Sequence, residues 1–206
     1  MRITVGGLKG GIGKTTSAAF IATALAQDGP TLAVDADPQS QSLFDWYQMA
    51  VEAGYELPWA CHPWVGDDLA RRVRMIAPEY KHVVIDTGGE TSRLFRAAVA
   101  VAGELVIPVR ANPIEMRRIP ATLEAAGEVE DIAEVEIYPR VLLVCTTRSK
   151  DVQGARDFLK ANDPPIPTMD AQVRQGVLYS RAFGTVPADL GDYAAVVAEL
   201  TAAAAA

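Results

Sequence analysis

A run of glycines and lysines near the start of the chain, Gly7-Leu-Lys-Gly-Gly-Ile-Gly-Lys-Thr-Thr16, constrains its fold more than any other feature. The run follows a short apolar segment, Ile3 to Val5, and precedes an apolar stretch typical of a helix, Ser17 to Ala26. Glycines allow backbone N–H groups to face phosphate oxygens, and a helix N-terminus adds partial positive charge. A strand, a glycine-rich loop and a helix in this order therefore predict a phosphate-binding loop. A plain glycine-rich turn is the weaker alternative.

Two side chains at the end of this run have the chemistry that a nucleoside triphosphate needs. Lys14 is expected to hold the β- and γ-phosphates, and the hydroxyl of Thr15 is expected to bind Mg²⁺. The common spacing of such loops would require glycine at position 8, where this chain has Leu8. The loop also carries a second lysine, Lys9, before the glycines. Backbone contacts to the phosphates are expected from Gly10, Gly11, Ile12, Gly13 and Thr16.

Two later segments have the pattern of a buried strand that ends in an acidic residue. Leu32 to Val34 lead into Asp35 and Asp37, and Val83 to Ile85 lead into Asp86. Ligands of an open parallel sheet bind beyond the carboxyl ends of its strands, so these carboxylates are expected beside the phosphate loop. A helix cap and a surface charge are the alternative for the first pair. Together with the loop, the two segments predict one phosphate site that also holds Mg²⁺.

These three segments resemble the ParA/MinD superfamily of ATPases, whose loop has the form K-G-G-x-G-K-T-T. The resemblance implies an ATP-bound homodimer in which Lys9 reaches across the interface to the nucleotide of the other subunit. It also implies that Asp37 positions the attacking water, that Asp35 supports the Mg²⁺ shell, and that Asp86 holds Mg²⁺ through water. Lys9, Lys14 and Asp37 would then be the catalytic residues. A solvated loop lysine is the alternative for Lys9.

The rest of the chain favours an α/β fold. Strand-like segments near 2–6, 31–35, 82–86, 104–108 and 140–146 alternate with helical stretches, and a less distinct one lies near 58–61. This alternation predicts a doubly wound, mostly parallel twisted sheet with helices on both faces. Half of the residues are hydrophobic, which is enough to bury such a sheet on both sides. Residues 1–206 are interpreted as a single phosphate-loop ATPase domain.

DNA binding is suggested by the resemblance but not by the overall charge. A net charge of −7 opposes attraction to DNA, so binding would need a local basic surface. Family members bind DNA nonspecifically as ATP-bound dimers, and the segment from Arg174 to Arg181 resembles the basic C-terminal segment of small partition ATPases. Arg174 and Arg181 are therefore the candidate DNA contacts, with a solvated helix face as the alternative. Arg117 and Arg118 are interpreted as solvated residues or as contacts with a partner protein.

The resemblance also suggests where the base of the nucleotide lies. Thr147 and Arg148 follow the strand-like segment that starts at Leu142, and they are the expected contacts of adenine, with Arg148 stacked on the ring. The segment 183–187 would close the base pocket from the other side. Cys61 and Cys145 lie far apart in apolar surroundings, so we expect two buried thiols and no metal or redox pair.

Several classes of protein are disfavoured by what the sequence lacks. No apolar run is long enough to span a bilayer and no signal peptide precedes the loop, so we expect a cytoplasmic protein with no membrane partner, associated with the nucleoid when ATP is bound. The segment 194–206 contains Glu199 and no lysine or arginine, unlike the basic amphipathic tail of MinD-type ATPases. No DNA-binding helix-turn-helix precedes the loop, as it does in larger partition proteins.

The sequence thus predicts a small partition-type ATPase. A centromere-binding protein or a cargo adaptor would stimulate its ATP hydrolysis. Two alternatives remain open: a nucleotide-switched adaptor for a non-DNA cargo, and a small-molecule enzyme of the dethiobiotin synthetase kind.

Overall fold

The computed structural model describes residues 1–8, 11–89 and 92–204. Its centre is a seven-stranded sheet in which all the paired strands run parallel. This confirms the predicted α/β fold. The strands are β1 (Arg2–Val5), β2 (Thr31–Ala36), β3 (Ala60–Pro63), β4 (His82–Thr87), β5 (Glu104–Arg110), β6 (Tyr138–Thr146) and β7 (Thr168–Arg174).

Helices cover both faces of this sheet. One face carries α1 (Lys14–Leu25), α2 (Ser42–Glu52), α8 (Val177–Arg181) and α9 (Tyr193–Ala204). The other face carries α3 (Leu69–Ile76), α4 (Ser92–Ala102), α5 (Pro113–Met116), α6 (Ile119–Ala133) and α7 (Ser149–Lys160). Successive strand residues point to opposite faces, so Ala33 packs with the first group while Leu32 and Val34 pack with the second. None of the described helices is long and apolar enough to cross a membrane.

The strand order places the ends of three strands where the phosphate loop begins. The order is β3-β2-β4-β1-β5-β6-β7, so the chain moves to one side of β1 first and crosses to the other side after β4. The carboxyl ends of β1, β4 and β5 therefore meet at the point where the direction of winding reverses. Ligands of doubly wound sheets bind at such a point.

The edge strand β7 is absent from the sequence-based prediction. Met169 and Val173 are buried there, while Asp170 and Arg174 are exposed. An edge strand with two buried apolar residues among seven lacks the continuous apolar run that marks the central strands. The candidate DNA-binding segment from Arg174 to Arg181 is therefore divided between two elements: Arg174 ends β7, and α8 begins at Val177.

Candidate functional site

The phosphate loop leads from β1 into α1 through glycines with left-handed backbone conformations. Gly13 has φ 85° and lies at the N-cap of α1, where its carbonyl accepts a 2.9 Å hydrogen bond from the amide of Ser17. Gly11 has φ 74°. A side chain at either position would be strained, so the local geometry explains why this loop needs glycine. Lys9 and Gly10 lie outside the described residues, and the roles predicted for them remain predictions.

The first turn of α1 faces the end of β4. The Thr15 hydroxyl donates a 2.7 Å hydrogen bond to Oδ2 of Asp86, whose side chain is almost fully buried. The other carboxylate oxygen, Oδ1, is buried and has no hydrogen-bond partner among the described residues. Burial raises the pKa of Asp86, whereas the hydrogen bond from Thr15 and the nearby Lys14 ammonium oppose this rise. Burial also lowers the pKa of Lys14, against the attraction of Asp86 and Asp37.

A buried carboxylate oxygen without a donor is uncommon in folded proteins and fits the water shell of a bound cation. Mg²⁺ usually takes one or two protein oxygens and completes its shell with water and phosphate oxygens. Thr15 and Asp86 offer such a pair, and the described residues contain no cluster of three or more metal-binding side chains. The residues present therefore fit Mg²⁺ held together with a nucleotide.

Asp35 is engaged in local structure at the end of β2. Its Oδ2 accepts hydrogen bonds from the amides of Leu43 and Phe44, both at 2.9 Å, and its Oδ1 accepts one of 3.0 Å from the amide of Asp37. The side chain is fully buried. Two of these amides belong to the first turn of α2, where a carboxylate satisfies donors that have no partner within the helix. This geometry fits an anchor for α2 better than the predicted part in the Mg²⁺ shell.

Asp37 is only partly buried and lies in a tight turn with Ser40. Its Oδ1 accepts hydrogen bonds from the amides of Gln39 and Ser40, at 3.0 and 3.4 Å. Its Oδ2 accepts a 2.8 Å hydrogen bond from the Ser40 hydroxyl. Gly88 packs against the same carboxylate so closely that a Cβ atom at position 88 would lie 2.7 Å from Oδ1. The orientation of Asp37 is thus fixed from two sides.

A cavity of about 410 Å³ brings these groups together around the expected position of the terminal phosphates. Lys14, Thr15 and Asp37 form one part of its wall, and Trp46 and Phe183 form another. The rings of Trp46 and Phe183 lie 5.4 Å apart, and the Trp46 indole N–H donates a 2.7 Å hydrogen bond to the carbonyl of Thr185. Phe183 thus lines this first cavity through its contact with α2. The expectation that the segment 183–187 closes the base pocket stays a prediction.

A second cavity, of about 480 Å³, opens on the other side of the loop, towards β6 and β7. Gly13, Thr16 and Thr147 belong to its wall. The contact of Thr147 with the base stays a prediction. Arg148 does not belong to the described wall. It is the exposed N-cap residue of α7, two positions beyond the end of β6.

Arg174 belongs to the wall of this second cavity, together with Tyr179. Its guanidinium forms an ion pair with Asp192 at 2.6 Å, and its backbone amide also donates to that carboxylate at 2.9 Å. The hydroxyl of Tyr179 donates to Asp192 at 3.0 Å. Arg174, one of the two predicted DNA contacts, is thus held beside the nucleotide cavity, whereas Arg181 is exposed at the end of α8.

The two cysteines differ in exposure. Cys61 is buried, as expected, and burial raises the pKa of its thiol. Cys145 is exposed, so its predicted burial is wrong. Its backbone is in the left-handed region, with φ 51°, near the end of β6. The residue lies in the wall of the second cavity.

Sequence reasoning missed three residues of the site. The Ser40 hydroxyl donates a hydrogen bond to Asp37. Trp46 lines the phosphate cavity, and Tyr179 lines the second cavity. The position of Ser40 three residues after an aspartate is a signal for a local side-chain hydrogen bond and is visible in the sequence. The two aromatic residues carry no such local signal, because the fold alone brings their helices to the loop.

Comparison with known proteins agrees with this geometry. The family model described as the CobQ/CobB/MinD/ParA nucleotide binding domain matches residues 3–161. The "Maintenance of carboxysome distribution protein A" of Gloeobacter kilaueensis is 33% identical over 164 residues, which are 74% of this chain and 73% of that protein. Protein ParA of Rhizobium radiobacter is 26% identical over 176 residues, covering 80% of this chain and 77% of that protein.

Among solved structures, the fold is similar to that of apo McdA from Cyanothece. The TM-score is 0.80, the identity is 21%, and the superposition covers 98% of each chain.

Proposed function

Because the chain belongs to the CobQ/CobB/MinD/ParA nucleotide-binding family, as an ATPase of the ParA/MinD type, we propose that it is an ATP-driven positioning protein that distributes a large cargo along DNA. The observation that carries the ATP-driven part of this proposal is the pairing of Thr15 with Asp86 at the head of the phosphate loop, with the second oxygen of Asp86 available to a hydrated cation. The cargo and DNA part is supported by the similarity to the two relatives. Asp37 faces the same cavity. Binding and hydrolysis of ATP are therefore the chemistry that the site supports best.

Each residue in and around the phosphate cavity has a separate role in the proposed reaction. The buried ammonium of Lys14 neutralises phosphate charge where water is largely excluded, which strengthens the interaction. Thr15 and Asp86 would hold Mg²⁺, and the bound ion would supply neutralisation of the charge that develops on the phosphates. Asp37 orients the attacking water and accepts its proton. Asp35 holds α2 and thereby the turn that carries Asp37.

The ATP-bound form is proposed to be a homodimer. Lys9 would contact the nucleotide of the other subunit, as the family resemblance implies, and would act on the γ-phosphate in the manner of an arginine finger. Hydrolysis would then separate the subunits. A partner protein bound to the cargo would accelerate this step.

DNA binding is proposed for the edge of the molecule that surrounds the two cavities. Although the whole chain carries a charge of −7, exposed arginines end or follow the last three strands at this edge: Arg110, Arg117, Arg118, Arg148 and Arg181. Because Arg174 is already paired with Asp192, Arg181 is the stronger of the two predicted contacts. Phosphate contacts of this kind give nonspecific affinity that falls steeply as salt rises.

Two cargoes fit this scheme. Plasmid or chromosomal DNA carried by a centromere-binding protein corresponds to the relative named ParA. A protein assembly is a second candidate, favoured by the 33% identity to a carboxysome distribution protein. In both cases a cargo adaptor would stimulate hydrolysis, and the protein would be associated with the nucleoid only while ATP is bound.

Retention of DNA by the ATP-bound form tests this proposal. The wild type is incubated with a 60-base-pair duplex of random sequence in ATP and Mg²⁺, or in ADP and Mg²⁺, at two salt concentrations. We expect retention with ATP only, lost at the higher salt and weakened by Arg181→Glu. Arg74→Glu, at an exposed arginine on α3, is the matched control. Equal retention in ADP, or none in ATP, would rule out a nucleotide-controlled DNA carrier.

A further inference from the structure

A shallow apolar groove lies at the end of the sheet opposite the nucleotide site. It runs between the middle of α6 and the proline-rich segment 164–167, next to the first residues of β6. Its volume is about 180 Å³, enough for one or two side chains. The wall includes Leu123, Ala126, Gly127, Ile137, Pro139 and Pro165. On β6, Pro139 of the groove wall and Val144 of the second cavity are five residues apart, which is about 17 Å along the strand.

The groove is surrounded by negative charge. The segment from Ile119 to Pro139 contains six acidic residues and no lysine or arginine, so it carries almost all of the net charge of −7. Four of the six are exposed on or just after α6 without an ion pair among the described residues: Glu124, Asp131, Glu134 and Glu136. Glu128 pairs with Arg96, and Glu130 accepts a 2.9 Å hydrogen bond from the amide of Ile137.

We infer that this groove is a docking surface for a basic segment of another protein, with one apolar side chain as its anchor. An apolar pocket ringed by charge of one sign suits an anchor residue flanked by lysine or arginine, because the anchor supplies buried area and the flanking charges supply selectivity. The exposed ring of Tyr138, next to two wall residues, offers a further contact to an arginine. DNA and anionic membranes would be repelled by the same charge.

One helix connects this groove with the phosphate loop. The hydroxyl of Thr122, in the first turn of α6, accepts a hydrogen bond of 3.4 Å from the amide of Leu8, directly before the loop. Thr122 is one residue before Leu123 of the groove wall. A segment bound in the groove would therefore contact the helix that also contacts the loop. This inference deepens the proposed function and rests on it for the role of the partner, which would be the cargo adaptor.

The helix offers a substitution that blocks the groove without disturbing the core. A Cβ atom added at Gly127 meets nothing within 4 Å, so Gly127→Leu places a large side chain over the groove wall without a clash at its base. Gly154, in α7, also has open space beyond an added Cβ, so Gly154→Leu is the matched control. Glu124→Lys combined with Asp131→Lys changes the charge and leaves the groove open. Thermal unfolding of each variant would confirm that it is folded.

The test is a selection of random 12-residue peptides displayed on phage against the wild type without nucleotide, with removal of peptides that bind Gly127→Leu. We expect the recovered peptides to carry lysine or arginine around one apolar residue and to bind Gly154→Leu as tightly as the wild type. Their affinity should fall at least tenfold for Gly127→Leu and for the charge-changed variant. Recovered peptides with no excess of basic residues, or with equal affinity for the blocked groove, would overturn the inference.

Because no nucleotide is present in this selection, its outcome is independent of ATP binding and hydrolysis. Peptides that bind the groove of a protein that fails to bind ATP would leave the docking surface intact and remove the proposed function. A protein that dimerises with ATP but yields no groove-binding peptide would keep the proposed function and remove the docking surface.

Discussion

The Ser40 hydroxyl donates a 2.8 Å hydrogen bond to Oδ2 of Asp37, the carboxylate proposed to act on the attacking water. Among the described residues, the backbone amides that bond this carboxylate bond its other oxygen, Oδ1. The plane of the carboxylate is therefore fixed by Ser40. This makes Ser40 a positioning residue, which acts on hydrolysis through Asp37 and leaves nucleotide binding to the phosphate loop.

Replacing Ser40 by alanine should lower kcat for ATP hydrolysis about tenfold, because a misplaced catalytic group loses much of its effect. The affinity for ATP should change less than about twofold, since the loop contacts remain. Ser40→Thr keeps the hydroxyl and should restore most of the rate. Ser42→Ala, at another serine that lines the same cavity, is the control. An unchanged or higher kcat for Ser40→Ala, with Asp37→Asn inactive, would show that Asp37 does not need this hydrogen bond.

Gly88 provides a second test of the position of Asp37. An added Cβ would lie 2.7 Å from Oδ1 and 2.9 Å from Cγ of Asp37, so Gly88→Ala should push the carboxylate away from its present position. We expect kcat to fall about as far as for Ser40→Ala, roughly tenfold, with ATP still bound. Gly127→Ala, which has open space, is the control for helix and solubility effects. Steady-state hydrolysis and ATP titration measure both quantities, and a Gly88→Ala variant with wild-type kcat would contradict the tight contact.

Asp35 should matter for stability more than for Mg²⁺. Asp35→Ala leaves three backbone amides without their acceptor, so we expect the free energy of unfolding to fall by about 2–4 kcal/mol in urea denaturation. Asp35→Asn keeps one acceptor oxygen and should lose less. The Mg²⁺ concentration needed for tight ATP binding should stay the same in Asp35→Asn. A large increase in that Mg²⁺ concentration, with the free energy of unfolding unchanged, would show that Asp35 supports the Mg²⁺ shell and does not anchor α2.

The pair of Arg174 and Asp192 predicts a dependence of stability on pH. Arg174 holds the pKa of the Asp192 carboxyl below its usual value. The carboxylate therefore stabilises the folded state above the pKa of the unfolded chain, and the contribution is lost as pH falls through the lower pKa of the folded state. Asp192→Asn should lower the free energy of unfolding at pH 7 and lower it progressively less below about pH 4. A cost that stays constant from pH 7 to pH 3.5 in urea denaturation would show that the ion pair contributes nothing.

The sequence predicted the central strands and the acidic residues at their ends because both signals are local. β1, β2 and β4 are buried on both faces and appear as continuous apolar runs, each followed by a glycine loop or an aspartate. In a parallel sheet all such ends meet at one edge, so Thr15 and Asp86 could be placed together although they are 71 positions apart.

The remaining features depend on contacts between distant segments. Trp46 and Phe183 meet because α2 and the segment after α8 pack on the same face of the sheet, and no periodicity in either segment marks this contact. Arg174 is predicted from the sequence as a DNA contact, because nothing in the sequence marks its pairing with Asp192, 18 positions away. Asp35 is an aspartate at the end of a strand, and the sequence of such a residue does not show whether it binds a metal or caps the next helix. The direction of its carboxylate oxygens in the structure distinguishes these two roles.

The most direct test of the account is the molar mass of the protein in the two nucleotide states. Light scattering after size exclusion would be recorded for the wild type and for Lys9→Ala, in ADP with Mg²⁺ and in ATP with Mg²⁺. We predict that ATP doubles the mass of the wild type and leaves Lys9→Ala monomeric. A wild type that remains monomeric in ATP while binding it would contradict the ATP-driven dimer and favour a small-molecule enzyme, and a Lys9→Ala variant that dimerises like the wild type would remove Lys9 from the interface.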